Sequence, residues 1–286
     1  MNIGKPIIDD FLDNGKLPCG DNSSIDTAMV AWNRFAVMLN HSVNAGVTFS
    51  KEIVSTYSLV YTTSLAYTGG VLASNGDIHF INNGAAVGQK ISAAGVVSTY
   101  SLVYTRSTGA YSGGVLAPNG DIHFVPYVAP VGQKISAAGV VSTYSLVYTT
   151  STGAYSGGVL APNGDIHFSS FHAIVGQKIS AIEVISTYSL VYTTSYAYSG
   201  GVLAPNGDIH FVPLFASVGQ KISASGVIST YSLIYTTTGA HVGGILAPSG
   251  DIHFIPYYAP VGQKITTSPA EPFSLAICCS PFFNKF

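Results

Sequence analysis

The sequence predicts an all-β protein, a five-bladed β-propeller of four-stranded blades with a helical arm at its N-terminus. The segment GGVLASNGDIHF at residues 69–80 recurs in close copies that start at Gly113, Gly157, Gly200 and Gly243, and successive copies are 43 or 44 residues apart. A period of this length is typical of propeller blades. Each repeat also contains four short stretches rich in β-branched and aromatic residues, separated by Gly, Pro and Asn, as strands and turns are.

The strands of one repeat are expected in a fixed order. GGVLA comes first and leads into a tight turn, in which Pro118 fits the first turn position and Gly120 allows a positive φ. DIHF, VGQKIS and STYSLVY supply the second, third and fourth strands. Four antiparallel strands in a unit of this length make one propeller blade, with GGVLA innermost and STYSLVY outermost.

The order of the strands predicts how the ring closes. A copy of STYSLVY at residues 55–61 precedes the first GGVLA, whereas none follows the last VGQKI at residues 261–265. The N-terminal copy is therefore expected to be the outer strand of the last blade. Such pairing would close the ring and remove two open sheet edges.

Three regions follow from this reading: an arm at 1–52, the propeller at 53–266 and an apolar tail at 267–286. The repeats resemble GGVLAPNG-type repeats of uncharacterised bacterial and viral proteins, and their strand–PNG–strand hairpin resembles that of tachylectin-type lectin propellers. The resemblance covers about 210 residues and implies the blade architecture. The tryptophan-containing signature of those lectins is absent from the repeats, so sugar binding does not follow from it.

The arm has the pattern of one helix at about 23–42. Trp32, Phe35 and Leu39 follow helical spacing, and further apolar residues lie off that stripe. A helix that is apolar on so many sides is usually buried. It is expected either to dock on its own propeller or to act as an assembly arm that binds a second copy or a larger particle.

Composition excludes several classes of protein. Only 8% of the residues are charged and the formal net charge is −2, which disfavours nucleic acid as a partner. No apolar run is long enough to span a membrane, and the first residues do not form a signal peptide, so synthesis in the cytoplasm is expected. The three cysteines, Cys19, Cys278 and Cys279, are expected as reduced thiols or as a link between the two ends.

Each repeat carries one histidine, one aspartate and one lysine at fixed positions. The histidines are expected to form structural hydrogen bonds between blades rather than one metal centre, because five rings off the axis cannot converge on one ion. The Asp and Lys residues are expected as ion pairs or turn caps. Glycoside cleavage needs two carboxylates, and Glu183 is the single non-repeated acid within the repeats. No catalytic residue, metal or cofactor is therefore predicted.

The repeats differ most in the sequence of the loop after DIHF and of the connection between blades. Both lie on the same face of the disc, and loops on a rigid scaffold are where binding residues collect. This face is predicted to bind a ligand or partner, unless its variation is drift in surface loops. The predicted contact residues are Arg106, Tyr127, Phe171, His172, Phe215, Tyr257 and Tyr258.

The function predicted from the sequence is that of a non-enzymatic structural or interaction protein. Low surface charge and apolar ends indicate protein partners or self-assembly within a larger particle, such as a virus or phage particle. The alternative is a lectin-like glycan-binding or receptor-binding module, in which similar pockets would provide avidity.

Overall fold

A computed structural model describes residues 54–267, and the chain divides into two compact units, Met1–Tyr57 and Ser58–Phe286. The described part of the second unit is all-β. Its strands are β1 (Tyr67–Leu72), β2 (Ile78–Asn82), β3 (Val87–Ile91), β4 (Val97–Ser101), β5 (Tyr111–Leu116), β6 (Ile122–Pro126), β7 (Val131–Ile135), β8 (Val141–Ser145), β9 (Tyr155–Leu160), β10 (Ile166–Ser170), β11 (Val175–Ile179), β12 (Ile185–Ser189), β13 (Tyr198–Leu203), β14 (Ile209–Pro213), β15 (Val218–Ile222), β16 (Ile228–Ser232), β17 (His241–Leu246), β18 (Ile252–Pro256) and β19 (Gln263–Ile265).

The strands form five antiparallel sheets, here numbered 1 to 5 in chain order, and each has the meander order that the repeats predict. Sheets 1 to 4 have four strands, and sheet 5 has three. The first strands of successive sheets contact one another, so the GGVLA strands are innermost, as predicted. The turns after the first and third strands lie on one side, the turn face, and the remaining connections lie on the opposite side, the loop face.

An aspartate ties the two turns together in each of sheets 1 to 4. In sheet 1, Asp77 Oδ1 accepts a hydrogen bond from Ala93 N at 3.0 Å and Asp77 Oδ2 pairs with Lys90 Nζ at 2.6 Å. Asn75 Oδ1 accepts from Asp77 N at 3.0 Å and so holds the first turn. The predicted pairing and turn-holding role of the repeated Asp and Lys is confirmed.

Successive sheets pack through a small residue on one side and branched apolar residues on the other. A Cβ on Gly114 would lie 2.6 Å from Ile81 Cδ1 and 2.9 Å from Val71 Cγ2 of the preceding sheet. Only glycine permits this approach, because interiors are close-packed. The same contact recurs at the three following boundaries, and hydroxyl groups add a bond: Ser112 Oγ donates to Tyr155 O at 3.0 Å.

The predicted closing strand is not formed among the described residues. Residues 54–66 contain no strand, and sheet 5 lacks an outer strand next to β19. The two outer faces of the array are also open: Ile245 in sheet 5 is 60% exposed, whereas its counterpart Val115 is 9% exposed. The period of the repeat predicts the sheets but not the angle between them, and that angle decides whether the ends meet.

Several predictions concern residues outside the described range. The helix at about 23–42, with Trp32, Phe35 and Leu39, lies there, as do all three cysteines and nearly all of the tail at 267–286. Among residues 54–267, no helix is long and apolar enough to cross a membrane.

Ser169 is a polar residue in an apolar boundary, and replacing it should stabilise the protein. Its Oγ is buried without a hydrogen-bond partner, 3.2 Å from where a Cβ on Gly201 would lie. Sheets 2 and 4 place Val125 and Val212 at the same position, each in contact with the next glycine. We expect Ser169→Val to raise the free energy of unfolding in urea by about 1 kcal/mol, because it removes an unsatisfied hydroxyl.

The reverse substitution, Val125→Ser, is the matched control and should lower the free energy of unfolding by about 1–2 kcal/mol. A Ser169→Val protein that is less stable than the wild type would show that the hydroxyl has a partner.

Candidate functional site

A row of polar side chains crosses the face of each sheet that points to the next sheet. In sheet 2 the row is Asp121, His123, Lys134 and Tyr144. His123 lies opposite Lys134 in the β6–β7 register, so both side chains project to the same side. Tyr144 extends over Gly132, where a Cβ would lie 2.1 Å from Tyr144 Cε2, and its hydroxyl lies 3.4 Å from His123 Nδ1.

His123 is held neutral by its surroundings. Burial, together with the nearby charge of Lys134, lowers the pKa of His123 to about 4. Its hydrogen bond stays within the sheet, through Tyr144, so the prediction of histidine bonds between blades is wrong. Tyr144 reaches the imidazole ring of His123 because Gly132 leaves space above β7.

Glu183 is the residue that makes the boundary between sheets 2 and 3 different. It lies in the β11–β12 turn of sheet 3 and reaches back to sheet 2, where both of its carboxylate oxygens lie 2.7 Å from Lys134 Nζ. Asn119 Nδ2 also donates to Glu183 Oε1 at 3.0 Å. Lys134 Nζ is 2.8 Å from Asp121 Oδ2, so one ammonium bridges two carboxylates.

The backbone at Glu183 departs from the repeat. Its φ is +63°, a left-handed conformation that side chains disfavour by about 1 kcal/mol. The equivalent turns of sheets 1, 2 and 4 have Gly95, Gly139 and Gly226 there, with φ between +81° and +84°. The chain thus replaces the favoured glycine with a strained glutamate at one boundary only among residues 54–267.

Neighbouring boundaries show what Glu183 adds. Between sheets 3 and 4, a cleft of about 220 Å³ is lined by Asp165, His167, Lys178 and Gly226. Between sheets 1 and 2, a cleft of about 430 Å³ is lined by the corresponding residues and by Gly139. The glutamate therefore occupies, at the middle boundary, space that is open at the other two.

The three groups Asp121, His123 and Glu183 form a potential metal site. One ligand atom of each lies within 4.8 Å of the others. Neutral imidazole and carboxylate oxygens are ligands of Zn²⁺ and related divalent cations, and three protein ligands leave a position for water. Two carboxylates and one ammonium have a net charge of −1, whereas the Asp–Lys pairs of the other sheets are neutral.

The charge states within the cluster show what a cation would have to displace. Burial alone would raise the pKa of Asp121, but hydrogen bonds from Lys134 and Ala137 outweigh it and lower the pKa below its usual value. Burial likewise opposes the charge of Lys134, yet the two carboxylates raise its pKa. Lys134 therefore stays protonated, and a cation has to displace it to reach the carboxylates.

The buried histidines should make folding stability depend on pH. Burial lowers the pKa values of His123, His167 and His210 to about 4, compared with about 6.5 in an unfolded chain. Below pH 6.5 the unfolded state therefore binds protons that the folded state excludes, so stability falls as the pH decreases towards 4. We expect a loss of up to about 1.4 kcal/mol per pH unit for each histidine in urea unfolding.

His210→Gln is a suitable control for that measurement, because an amide can still bond to Tyr231. Between pH 6 and pH 4.5, the three histidines together make the free energy of unfolding depend on pH. The variant should remove about one third of that dependence. An unfolding free energy that is independent of pH over this range would contradict neutral burial.

The loop face brings together only part of the predicted binding set. Tyr127, Phe171, His172 and Phe215 form one aromatic cluster with Tyr196, which the sequence analysis missed; Tyr196 lies 4.8 Å from Phe171 and 5.3 Å from Phe215 between ring centroids. Tyr196, like Glu183, stands where other repeats have glycine. Its φ is +58°, and the equivalent Gly153 and Gly239 also have positive φ values.

The remaining predicted loop-face residues lie apart from that cluster. Tyr257 and Tyr258 stack on each other with ring centroids 4.3 Å apart. Arg106 is exposed in the connection between sheets 1 and 2. Partner binding by this face remains a prediction.

Comparison with solved structures identifies β-propellers of enzymes. The virginiamycin B lyase from Staphylococcus aureus has a TM-score of 0.63 and 21% identity, over 72% of this chain and 69% of the lyase. A streptogramin B lyase has a TM-score of 0.61 and 21% identity, over 72% and 68%. A candidate 6-phosphogluconolactonase from Bacteroides uniformis has a TM-score of 0.54 and 11% identity, over 76% and 71%. No protein-family model and no curated protein matches.

These likenesses establish a propeller-like fold, and they correct the functional prediction. The expected non-enzymatic scaffold of a virus particle, with a lectin-like alternative, is wrong, because the similar propellers are lyases and a candidate lactonase. No enzyme is predicted from the sequence, because Glu183 is the single non-repeated acid within the repeats. The fold supplies a carboxylate pair by bringing Glu183 to Asp121 from the next sheet. The narrower resemblance to GGVLAPNG-type repeat proteins stays a prediction.

Proposed function

We propose that the chain is a divalent-cation-dependent hydrolase of esters or lactones, with its active site at the boundary between sheets 2 and 3. The observation that carries the proposal is Glu183, which adds a second carboxylate and a net negative charge to one of several otherwise equivalent polar rows. A single site among equivalent repeats requires a residue that differs between them, and Glu183 is such a residue, held in a strained backbone conformation.

In this proposal each residue has a defined role. Asp121, His123 and Glu183 would hold the cation, and Tyr144 would orient the imidazole through its bond to Nδ1. A bound divalent cation lowers the pKa of a water ligand and so supplies a nucleophile near neutral pH. Lys134, displaced from the carboxylates, would lie beside the cation, where its Nζ could donate a hydrogen bond to the oxyanion of an attacked ester. The lactonase name of one similar propeller supports the choice of substrate class.

Hydrolysis of a panel of γ- and δ-lactones, with Mn²⁺ or Zn²⁺ added or with a chelator, tests the proposal. We expect turnover that requires the cation and falls at least about 100-fold in Glu183→Gly, because one of three ligands is lost. Equal turnover by the wild type and by this variant would exclude the site, as would activity that survives complete removal of the cation.

A further inference from the structure

The sheet array has two exposed ends, in sheet 5 and in sheet 1, and their surfaces correspond to the two sides of an internal boundary. Each internal boundary has three recurring elements: two side chains packed on a glycine, a hydroxyl donated to a backbone carbonyl, and a backbone amide donated to the preceding loop. At the first boundary these are Val71 and Ile81 on Gly114, Thr68 Oγ1 to Tyr111 O at 3.2 Å, and Ala110 N to Asn83 O at 2.8 Å. The packed pair is branched and apolar at three of the four boundaries, and at the remaining one Ser169 replaces one member.

Sheet 5 presents the first half of this interface without its partner. Ile245 and Ile255, the counterparts of Val71 and Ile81, are 60% and 39% exposed. Val242, at the position of the hydroxyl donors, is 44% exposed and makes this end more apolar than the internal faces. The carbonyl of Tyr257, at the position of Asn83 O, accepts no backbone bond from the described residues.

Sheet 1 presents the complementary half. The three atoms nearest to a Cβ on Gly70 belong to Ile78, His79 and Phe80 of its own sheet, whereas each equivalent glycine is in contact with the preceding sheet. Ile78 is 38% exposed, and its counterpart Ile122 is 1% exposed. Ala66 N donates no backbone bond within residues 54–267, although its counterparts Ala110 and Ala154 both do.

We propose that the sheet 5 end of one chain binds the sheet 1 end of a second copy, so that copies associate head to tail. Continuity with the internal boundaries selects this occupant, because the same contact is already made four times within the chain. The two ends of one chain do not cover each other, since Ile245 of sheet 5 and Ile78 of sheet 1 remain 60% and 38% exposed. The contact between two copies is heterologous, since different surfaces pair.

The outer edge of β19 adds to the fit. Sheets 1 to 4 each end on an outer strand of sequence VSTYS or ISTYS, and sheet 5 has none among residues 54–267. Residues 54–58 repeat VSTYS and belong to no strand among the described residues. In the head-to-tail contact this segment of the second copy is the one that would add to β19, which pairs an otherwise open edge.

Two substitutions block one end each without disturbing the chain's own packing. Gly70→Asp has room in the free protein, where the atom nearest to its Cβ is 3.4 Å away. In the interface it would clash, because a Cβ on the equivalent Gly114 would lie 2.6 Å from the preceding sheet. Ile245→Asp places a charge on a side chain that is already 60% exposed. Val103→Asp, at an equally exposed position outside the interface, is the control.

Light scattering after size exclusion, over about 1 to 100 µM of the 286-residue chain, gives the test. We expect masses above the monomer for the wild type and Val103→Asp, and loss of the assembled species in Gly70→Asp and Ile245→Asp. An equimolar mixture of those two variants should form a dimer, because one supplies an intact sheet 5 end and the other an intact sheet 1 end. A wild type that is monomeric throughout, or a mixture that remains monomeric, would overturn the proposal.

Discussion

Glu183→Gly should abolish binding of divalent cations and leave the fold intact. The glutamate provides one of three ligands, and its removal leaves Asp121 paired with Lys134 in a neutral row like those of the neighbouring sheets. Titration calorimetry with Mn²⁺ measures the loss directly. The variant tests the site cleanly because glycine is what the chain itself uses in the equivalent turns, at Gly139 and Gly226.

Stability is the necessary control for that variant. Glycine relieves the left-handed strain at position 183, worth about 1 kcal/mol, but it also makes the unfolded chain more flexible. The ion pair that is lost is partly exposed, so it contributes little. We therefore expect a free energy of unfolding within about 1 kcal/mol of the wild type. A large loss of stability would show that Glu183 is a structural cross-link between sheets.

Gly132→Ala should have the largest effect on stability among the glycine substitutions considered. A methyl group there would lie 2.1 Å from Tyr144 Cε2, so the ring has to leave its position over β7 and its bond to His123. We expect a loss of about 3 kcal/mol in urea unfolding, from overpacking and from the broken hydrogen bond. The displaced tyrosine should also reduce cation affinity, because it no longer orients His123.

Gly113→Ala is the matched control, because a Cβ on Gly113 meets no atom within 4 Å. It should change the free energy of unfolding by less than about 0.5 kcal/mol. The Gly132→Ala effect should also be smaller when Tyr144 is replaced by alanine, since the two side chains then no longer compete for the same space. Equal losses from Gly113→Ala and Gly132→Ala would mean that the tyrosine is not held over the strand.

Much of the sheet architecture could be predicted because the residues that determine each sheet lie within one repeat. The alternating strands, the Asn–Gly turns and the Asp77–Lys90 pairing all depend on residues within about 25 positions of one another. The closing strand could not be predicted in the same way. It depends on the angle between sheets, which accumulates over four boundaries and is not encoded in the period.

The candidate site could not be predicted from the sequence for a related reason. Glu183 and Lys134 are 49 positions apart and belong to different repeats, so no local motif joins them. The usable signal was a replacement: an acid where the other copies have glycine. Tyr196 carries the same signal on the loop face, where it completes the aromatic cluster. In a repeat protein the residues that break a conformational rule of the repeat are the ones to examine first.

The most direct test of the cation site counts the ions bound per chain. Gly226→Glu places a second acid at the equivalent turn, where Gly226 lines the open cleft with Asp165, His167 and Lys178. Calorimetric titration with Mn²⁺ should give one site in the wild type, none in Glu183→Gly and two in Gly226→Glu. An unchanged number of sites in all three proteins, or no binding to the wild type, would contradict the assignment of Asp121, His123 and Glu183 as its ligands.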